Sequence, residues 1–184
     1  DVRAGRMDTF GIYSDAFGGP KLIQVYRPNR FRKTRRYPLL VVHDGTDYQR
    51  FSAFKIVLDN LIHAMEIPPM IVAFSDSPDR MTEYTNDERH CKHIAEELVP
   101  AVEARYPIDQ RKASRCVMGA SFGGVASLAT AWRYPSVFGK LLLQSGSFAF
   151  TDIGDHDRGP AFDPVVVFMN AFRKAPGMPA EQVY

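Results

Sequence analysis

The chain has 184 residues, of which 45% are hydrophobic and 24% charged, and its formal net charge is +2. That is ordinary globular composition, long enough for one packed domain, and it excludes disordered and fibrous classes. No apolar run reaches the roughly 18 residues of a membrane span, and a charge so near zero names neither a nucleic-acid nor a membrane partner.

Cys91 and Cys116 are too few for a disulfide framework. They fit a reducing compartment, which slightly favours the cytoplasm. "DVRAGRMDTF" lacks the apolar core of a signal peptide, but the chain opens on Asp1 rather than methionine, so a leader upstream stays open.

In chain order, "GRMDTFGIYS" and "KLIQVYRP" read as two strands around a turn at Gly18, Gly19 and Pro20. "RPNRFRKTRRYP" then carries six basic residues from Arg27 to Arg36. An anion or nucleic-acid site is one reading. A solvated loop is the preferred one, since neither an aromatic platform nor a glycine cradle accompanies the charge.

"PLLVVHDG" is a continuous apolar run closed by turn residues, as expected of a strand buried on both faces. "FSAFKIVLDNLIHAMEI" predicts one helix, with Phe54, Val57, Leu58, Leu61, Ile62 and Met65 three and four apart. "PPMIVAFSDS" is a second buried strand. "NDERHCKHIAEELVPAVEARYP" is a helix with Ile94, Leu98, Val102 and Tyr106 roughly on one face. "ASRCVMG" is a strand, "FGGVASLATAWRYP" a helix and "GKLLLQSGSF" another strand. "FDPVVVFMNAFRKAPG" is read as a helix despite its valines: Asp163 can cap it, Pro164 suits its first turn, and Val165, Phe168, Met169 and Phe172 keep helical spacing. "EQVY" reads as a strand beginning. Strands alternating with helices predict an α/β protein with a mostly parallel sheet covered on both faces, as one domain over residues 1–184.

Gly119-Ala120-Ser121-Phe122-Gly123 fits G-x-S-x-G between a predicted strand and a predicted helix, the context a nucleophile elbow requires. Gly119 and Gly123 supply the space that a tight strand-to-helix turn needs around the serine. Ser121 is therefore the candidate nucleophile. The Phe122 amide, at the helix start, is the first oxyanion donor. The second is sought in the loop His43-Asp44-Gly45-Thr46-Asp47, with the Thr46 amide preferred and Gly45 as runner-up.

"YPLLVVHDGTDY", "DRMTEY", "EELVPAVEARYP" and "MGASFGGVASLATAWRYPSVFGKLLLQSGSF" together resemble the esterase D and enterochelin-esterase-like family of α/β-hydrolases, related in fold to mycolyltransferases and feruloyl esterases. The resemblance runs over nearly the whole chain. It implies a three-layer α/β-hydrolase fold and a serine esterase without metal or organic cofactor, acting on a small-molecule ester of siderophore, feruloyl or acyl-sugar type. It also implies Ser121 as nucleophile, Phe122 and the "HDGT" loop as oxyanion hole, and Arg80 and Glu83 as a segment beside the site, read as structural, with an ion pair between them. His43, Asp44 and Arg80 are candidate substrate-side residues.

In that family the acid and the histidine follow the nucleophile in sequence. Neither is expected before Tyr184, so the domain is read as cut short at its C-terminus. Among local histidines, His156 follows Ser121 but lies in a cap-like segment and is read as a loop residue. His43 is given a turn-stabilising role over a substrate contact. His63 is placed on a helix face. His90 and His93 could share a helix face, but no third and fourth ligands accompany them, so no metal site is expected. The rival functions are an acyltransferase with the same nucleophile, a prolyl-oligopeptidase-type peptidase, and a catalytically incomplete chain that only binds.

Overall fold

The computed structural model describes residues 2–152, 159–175 and 177–184. His156 lies outside the described residues, and with it the reading given to it. Seven strands form one sheet in the order β1-β2-β4-β3-β5-β6-β7. β1 (Arg6–Ser14) and β2 (Gly19–Arg27) make an antiparallel hairpin, and β2 also pairs antiparallel with β4 (Ile71–Ser75). From there on β4, β3 (Leu39–His43), β5 (Arg115–Ala120), β6 (Lys140–Gln144) and β7 (Gln182–Val183) run parallel.

Every residue of β3 and β4 is buried, which is why both segments read as unbroken apolar runs rather than alternating ones. Successive side chains divide between two faces. Leu39 and Val41, with Ile71, Ala73, Val117 and Leu141, belong to one core; Leu40 and Val42, with Val72, Phe74 and Met118, belong to the other. The second core is covered by α1 (Gly45–Ser52) and α2 (Phe54–His63). The first is covered by the helical run from α4 (Glu88–Lys92) to α5 (Val99–Arg105), by α6 (Phe122–Arg133) and by α7 (Asp163–Lys174). The short α3 (Arg80–Glu83) lies between β4 and α4.

Four sequence expectations change. The predicted single helix from Phe51 is two helices, because Ala53 sits at φ 45°, a left-handed conformation that ends α1 and starts α2. α1 itself begins at Gly45, where a loop was expected. The long helix before β5 is continuous but widens into a π-turn over His93–Leu98, just ahead of Pro100, whose ring nitrogen cannot donate a helical hydrogen bond. α7 is helical as read, yet Asp163 is its first residue and makes no side-chain cap bond. Among the described residues no helix is long and apolar enough to cross a membrane.

β3 is the hinge of the topology. The chain leaves its C-terminal end for α1 on one face, while adjacent β5 leads into α6 on the other. This divergence opens a crevice at the carboxyl edge of the sheet, where open α/β sheets bind ligands.

Candidate active site

β5 ends at Ala120 and α6 begins at Phe122, so a single residue makes the turn. That residue, Ser121, has φ 55° and ψ −120°. The turn closes only because nothing projects from Gly119: a Cβ there would be driven into the Gly123 carbonyl. Ser121 is half-buried at the carboxyl edge, and its backbone is clasped to the neighbouring strand end. Its N–H donates to Gln144 O at 3.1 Å, and its carbonyl accepts from Ser147 N at 3.0 Å and Gly124 N at 3.1 Å.

The hydroxyl has a partner that the sequence reading missed. Ser121 Oγ lies 2.8 Å from Ser147 Oγ. The signal was present in the pairing of strands: β6 lies beside β5, with Gln144 opposite Ala120, so a hydroxyl just past the end of β6 falls beside the elbow. Ser145, at φ 45°, turns the chain back so that Ser147 can reach it.

The loop after β3 meets the first turn of α6. A Cβ on Gly123 would stand 3.3 Å from His43 Cβ and 3.4 Å from an Asp44 carboxylate oxygen. Gly45 is buried, and a Cβ there would collide with Phe74, so close is the start of α1 to β4. The Thr46 amide, preferred from sequence as the second oxyanion donor, is already engaged: Thr46 N donates to Asp76 Oδ1 at 2.9 Å and Thr46 Oγ1 to Asp76 Oδ2 at 2.8 Å. Asp76 thus caps α1 from the loop after β4. The Gly45 and Phe122 amides, each the first of its helix, donate to no acceptor among the described residues.

Asp44 and Arg80 form a two-point pair, Nε to Oδ1 at 3.2 Å and Nη2 to Oδ2 at 2.8 Å, with the guanidinium 6.0 Å from the Phe122 ring centre. The Asp44 carboxylate holds Arg80 more firmly protonated than usual. Arg80 and Glu83 therefore do not pair with each other. Glu83 faces Lys21 at 3.5 Å and His90 at 3.6 Å. Tyr48 of α1 reaches across the same edge to hydrogen-bond the Gln144 side chain.

His43 is not on the substrate side. It is fully buried, with Nδ1 2.9 Å from Ser127 Oγ and 3.3 Å from Met118 O, and Nε2 2.9 Å from His90 Nε2. It adjoins the elbow in sequence, but alternation along β3 turns its ring beneath α6 rather than into the crevice. The Tyr84 ring packs edge-on against His43 at 5.1 Å. Burial, and then the neighbouring His90, hold His43 well below its ordinary pKa; burial also lowers His90 and His93. His93 Nδ1 is 2.7 Å from Glu97, which also takes the Ser14 hydroxyl at 2.5 Å. The two histidines that invited a zinc reading are thus joined to separate partners. His63 lines a hollow at the opposite edge of the sheet. None of the four described histidines contacts Ser121.

Residues 14–171 match the family described as "Putative esterase". The uncharacterized protein YjcH of Bacillus subtilis strain 168 is 31% identical over 141 residues, covering 73% of this chain and 59% of that protein. The iron(III) enterobactin esterase of Escherichia coli K12 is 29% identical over 153 residues, covering 73% and 38%. The crystal structure of the enterochelin esterase from Shigella flexneri superposes with a TM-score of 0.72 at 26% identity, over 84% of this chain and 39% of that one. The chain thus spans between about two fifths and three fifths of the length of these relatives.

Proposed function

The chain belongs to this esterase family, and from that premise we propose that it carries the nucleophile of a serine carboxylic-ester hydrolase. Ser121 Oγ attacks the acyl carbon. A histidine outside the described residues takes the proton and returns it to the leaving alcohol, and an acid, also outside them, orients that histidine. The tetrahedral oxyanion is held by the amides of Phe122 and Gly45, and water then releases the acyl group from Ser121. Thr46 has no part in the hole, because its amide already serves Asp76. Asp44 and Arg80 brace the crevice wall rather than bind the reacting ester.

The observation that carries this reading is the single-residue turn at Ser121. It holds a half-buried hydroxyl at the edge where two helices begin, with the first amide of each unengaged among the described residues. A strained serine at such a turn has no structural purpose that a glycine would not serve with less strain. Within the ester class we favour a siderophore-type substrate, since relatives named enterobactin esterase share the matched region; feruloyl and acyl-sugar esters are the other candidates.

The test is steady-state hydrolysis by the full-length protein of a panel containing enterobactin, a feruloyl ester, an acetylated sugar and an aryl acetate, with a competing alcohol present. The expected result is free acid as the main product, with Ser121→Ala lowering kcat by about 10⁶. Acyl transfer to the alcohol as the main outcome would make the protein a transferase with the same nucleophile. Undiminished turnover by Ser121→Ala would end the reading.

A further inference from the structure

At the sheet edge opposite Ser121, where β2 ends and β3 and β4 begin, the protein has a hollow of about 440 Å³. Arg3, Arg30 and Arg35 line it, and none of them pairs with a carboxylate among the described residues. Its one acid is already balanced: Asp59 accepts from Gly5 N at 2.7 Å, from the Tyr26 hydroxyl at 2.8 Å and from Lys55 Nζ at 2.7 Å. A second hollow of about 270 Å³ shares Asn29 and Arg30 and adds Arg6, which is likewise unpaired among the described residues.

The charge is concentrated here. The stretch from Arg27 to Arg36 holds six basic residues and no acid, although the whole chain is only +2, so the remainder is net acidic. The arginines are also placed. Arg35 lies over the Tyr37 ring at 5.4 Å; Tyr37 stacks on Phe31 at 5.3 Å; Arg27 covers Phe31 from 5.1 Å. Tyr37 is itself fixed, its hydroxyl accepting from Arg32 N at 2.8 Å and its backbone bonded to Pro107 O and Asp109 N. Arg30 takes φ 61°, rare for a residue with a side chain, and from there lines both hollows. Such stacking and anchoring lower the ordering cost of binding.

We propose that this hollow binds a small organic phosphate. Guanidinium forks match phosphate oxygens in two-point geometry, and several of them around one cavity suit a dianion better than a single carboxylate. The opposite wall is apolar, made by Ile62, Pro69 and Met65, the last 88% exposed. The volume is within the range of small-molecule sites and leaves room for an organic group beside the phosphate. The site lies at the amino edge of the parallel strands and the elbow at the carboxyl edge, so the proposal does not depend on the chemistry assigned to Ser121.

The experiment is isothermal titration of the full-length protein, in phosphate-free buffer at low salt, with phenyl phosphate, inorganic phosphate and benzoate. It is repeated with the Arg30→Ala/Arg35→Ala and Arg30→Lys/Arg35→Lys double variants. Phenyl phosphate is expected to bind at one site per chain, more tightly than either inorganic phosphate or benzoate. The alanine pair should raise its Kd by about tenfold or more, and the lysine pair by less. Added salt should weaken binding. Because both side chains are exposed, the melting temperatures of the variants should match that of the parent. Absence of saturable binding, an unchanged Kd in the alanine pair, or benzoate binding as tightly as phenyl phosphate would overturn the proposal. So would co-sedimentation with phosphatidic acid vesicles, or retention on RNA, in the absence of phenyl phosphate binding.

Discussion

Ser121 holds a backbone conformation that costs a residue with a side chain about 1–3 kcal/mol, and backbone hydrogen bonds to Gln144, Ser147, Gly124 and Val125 keep it there. Its hydroxyl is in turn held by Ser147. In Ser147→Ala the proposed nucleophile, Ser121, gains rotamer freedom, so on that proposal kcat should fall by about tenfold while KM stays within about twofold. Ser147→Thr should recover most of the loss, and steady-state kinetics on an aryl ester read both. Asp76→Ala removes the cap on α1; we expect a loss of about 1–2 kcal/mol in urea unfolding, and, because the Thr46 amide is then freed without entering the site, a kcat/KM that changes little.

The buried histidines set a pH dependence. His43, His90 and His93 have folded pKa values below the unfolded one, so between those values the unfolded chain binds more protons than the native one. Their contribution to stability is complete above about pH 6.5, the unfolded value, and is lost as pH falls toward the folded values, by up to about 1.4 kcal/mol per pH unit for each histidine. Glu83 faces His90, with Lys21 behind it; Glu83 and Glu97 are themselves held low and act in the same direction. The melting temperature should therefore drop between pH 7 and pH 5. His90→Gln should lower stability at pH 7 and flatten that slope, as thermal unfolding over the pH series will read.

At the scale of elements, the elbow was legible because its demands are local: an apolar strand, small residues around a serine, then a helical pattern. The two-face cores were legible from the unbroken apolar runs of β3 and β4. The start of α1 was not, since Gly45 and Thr46 look like turn residues and the group that caps the helix, Asp76, comes from another strand's loop. Nor was the break at Ala53, because alanine favours helix and gives no warning of a left-handed residue. Ala53→Gly, which removes the Cβ from that conformation, should stabilise the protein by about 0.5–1 kcal/mol in chemical unfolding. Polar burial was the least readable feature. His43 reads as a loop residue near a site, and only the pairing of β3 with β5 and the packing of α6 show that its ring faces Ser127 and His90.

At the scale of the molecule, the strand order puts β3 and β5 side by side with their following helices on opposite faces, and this alone brings the loop at His43 and Asp44 against the first turn of α6. The same sheet presents its other edge to a basic hollow, so the two ends differ in charge and in the chemistry they can host. Order along the chain could not give that separation, because Arg30 and Arg35 stand closer in sequence to Gly45 than Ser121 does.

The most direct test of the central claim is acid-quenched peptide mapping by mass spectrometry of the full-length protein after brief mixing with an activated aryl acetate. The account predicts one acetyl group on the peptide that contains Ser121, removed by longer incubation and absent in Ser121→Ala. Acetyl transfer to any other residue during productive turnover, with the Ser121 peptide unmodified, would contradict it.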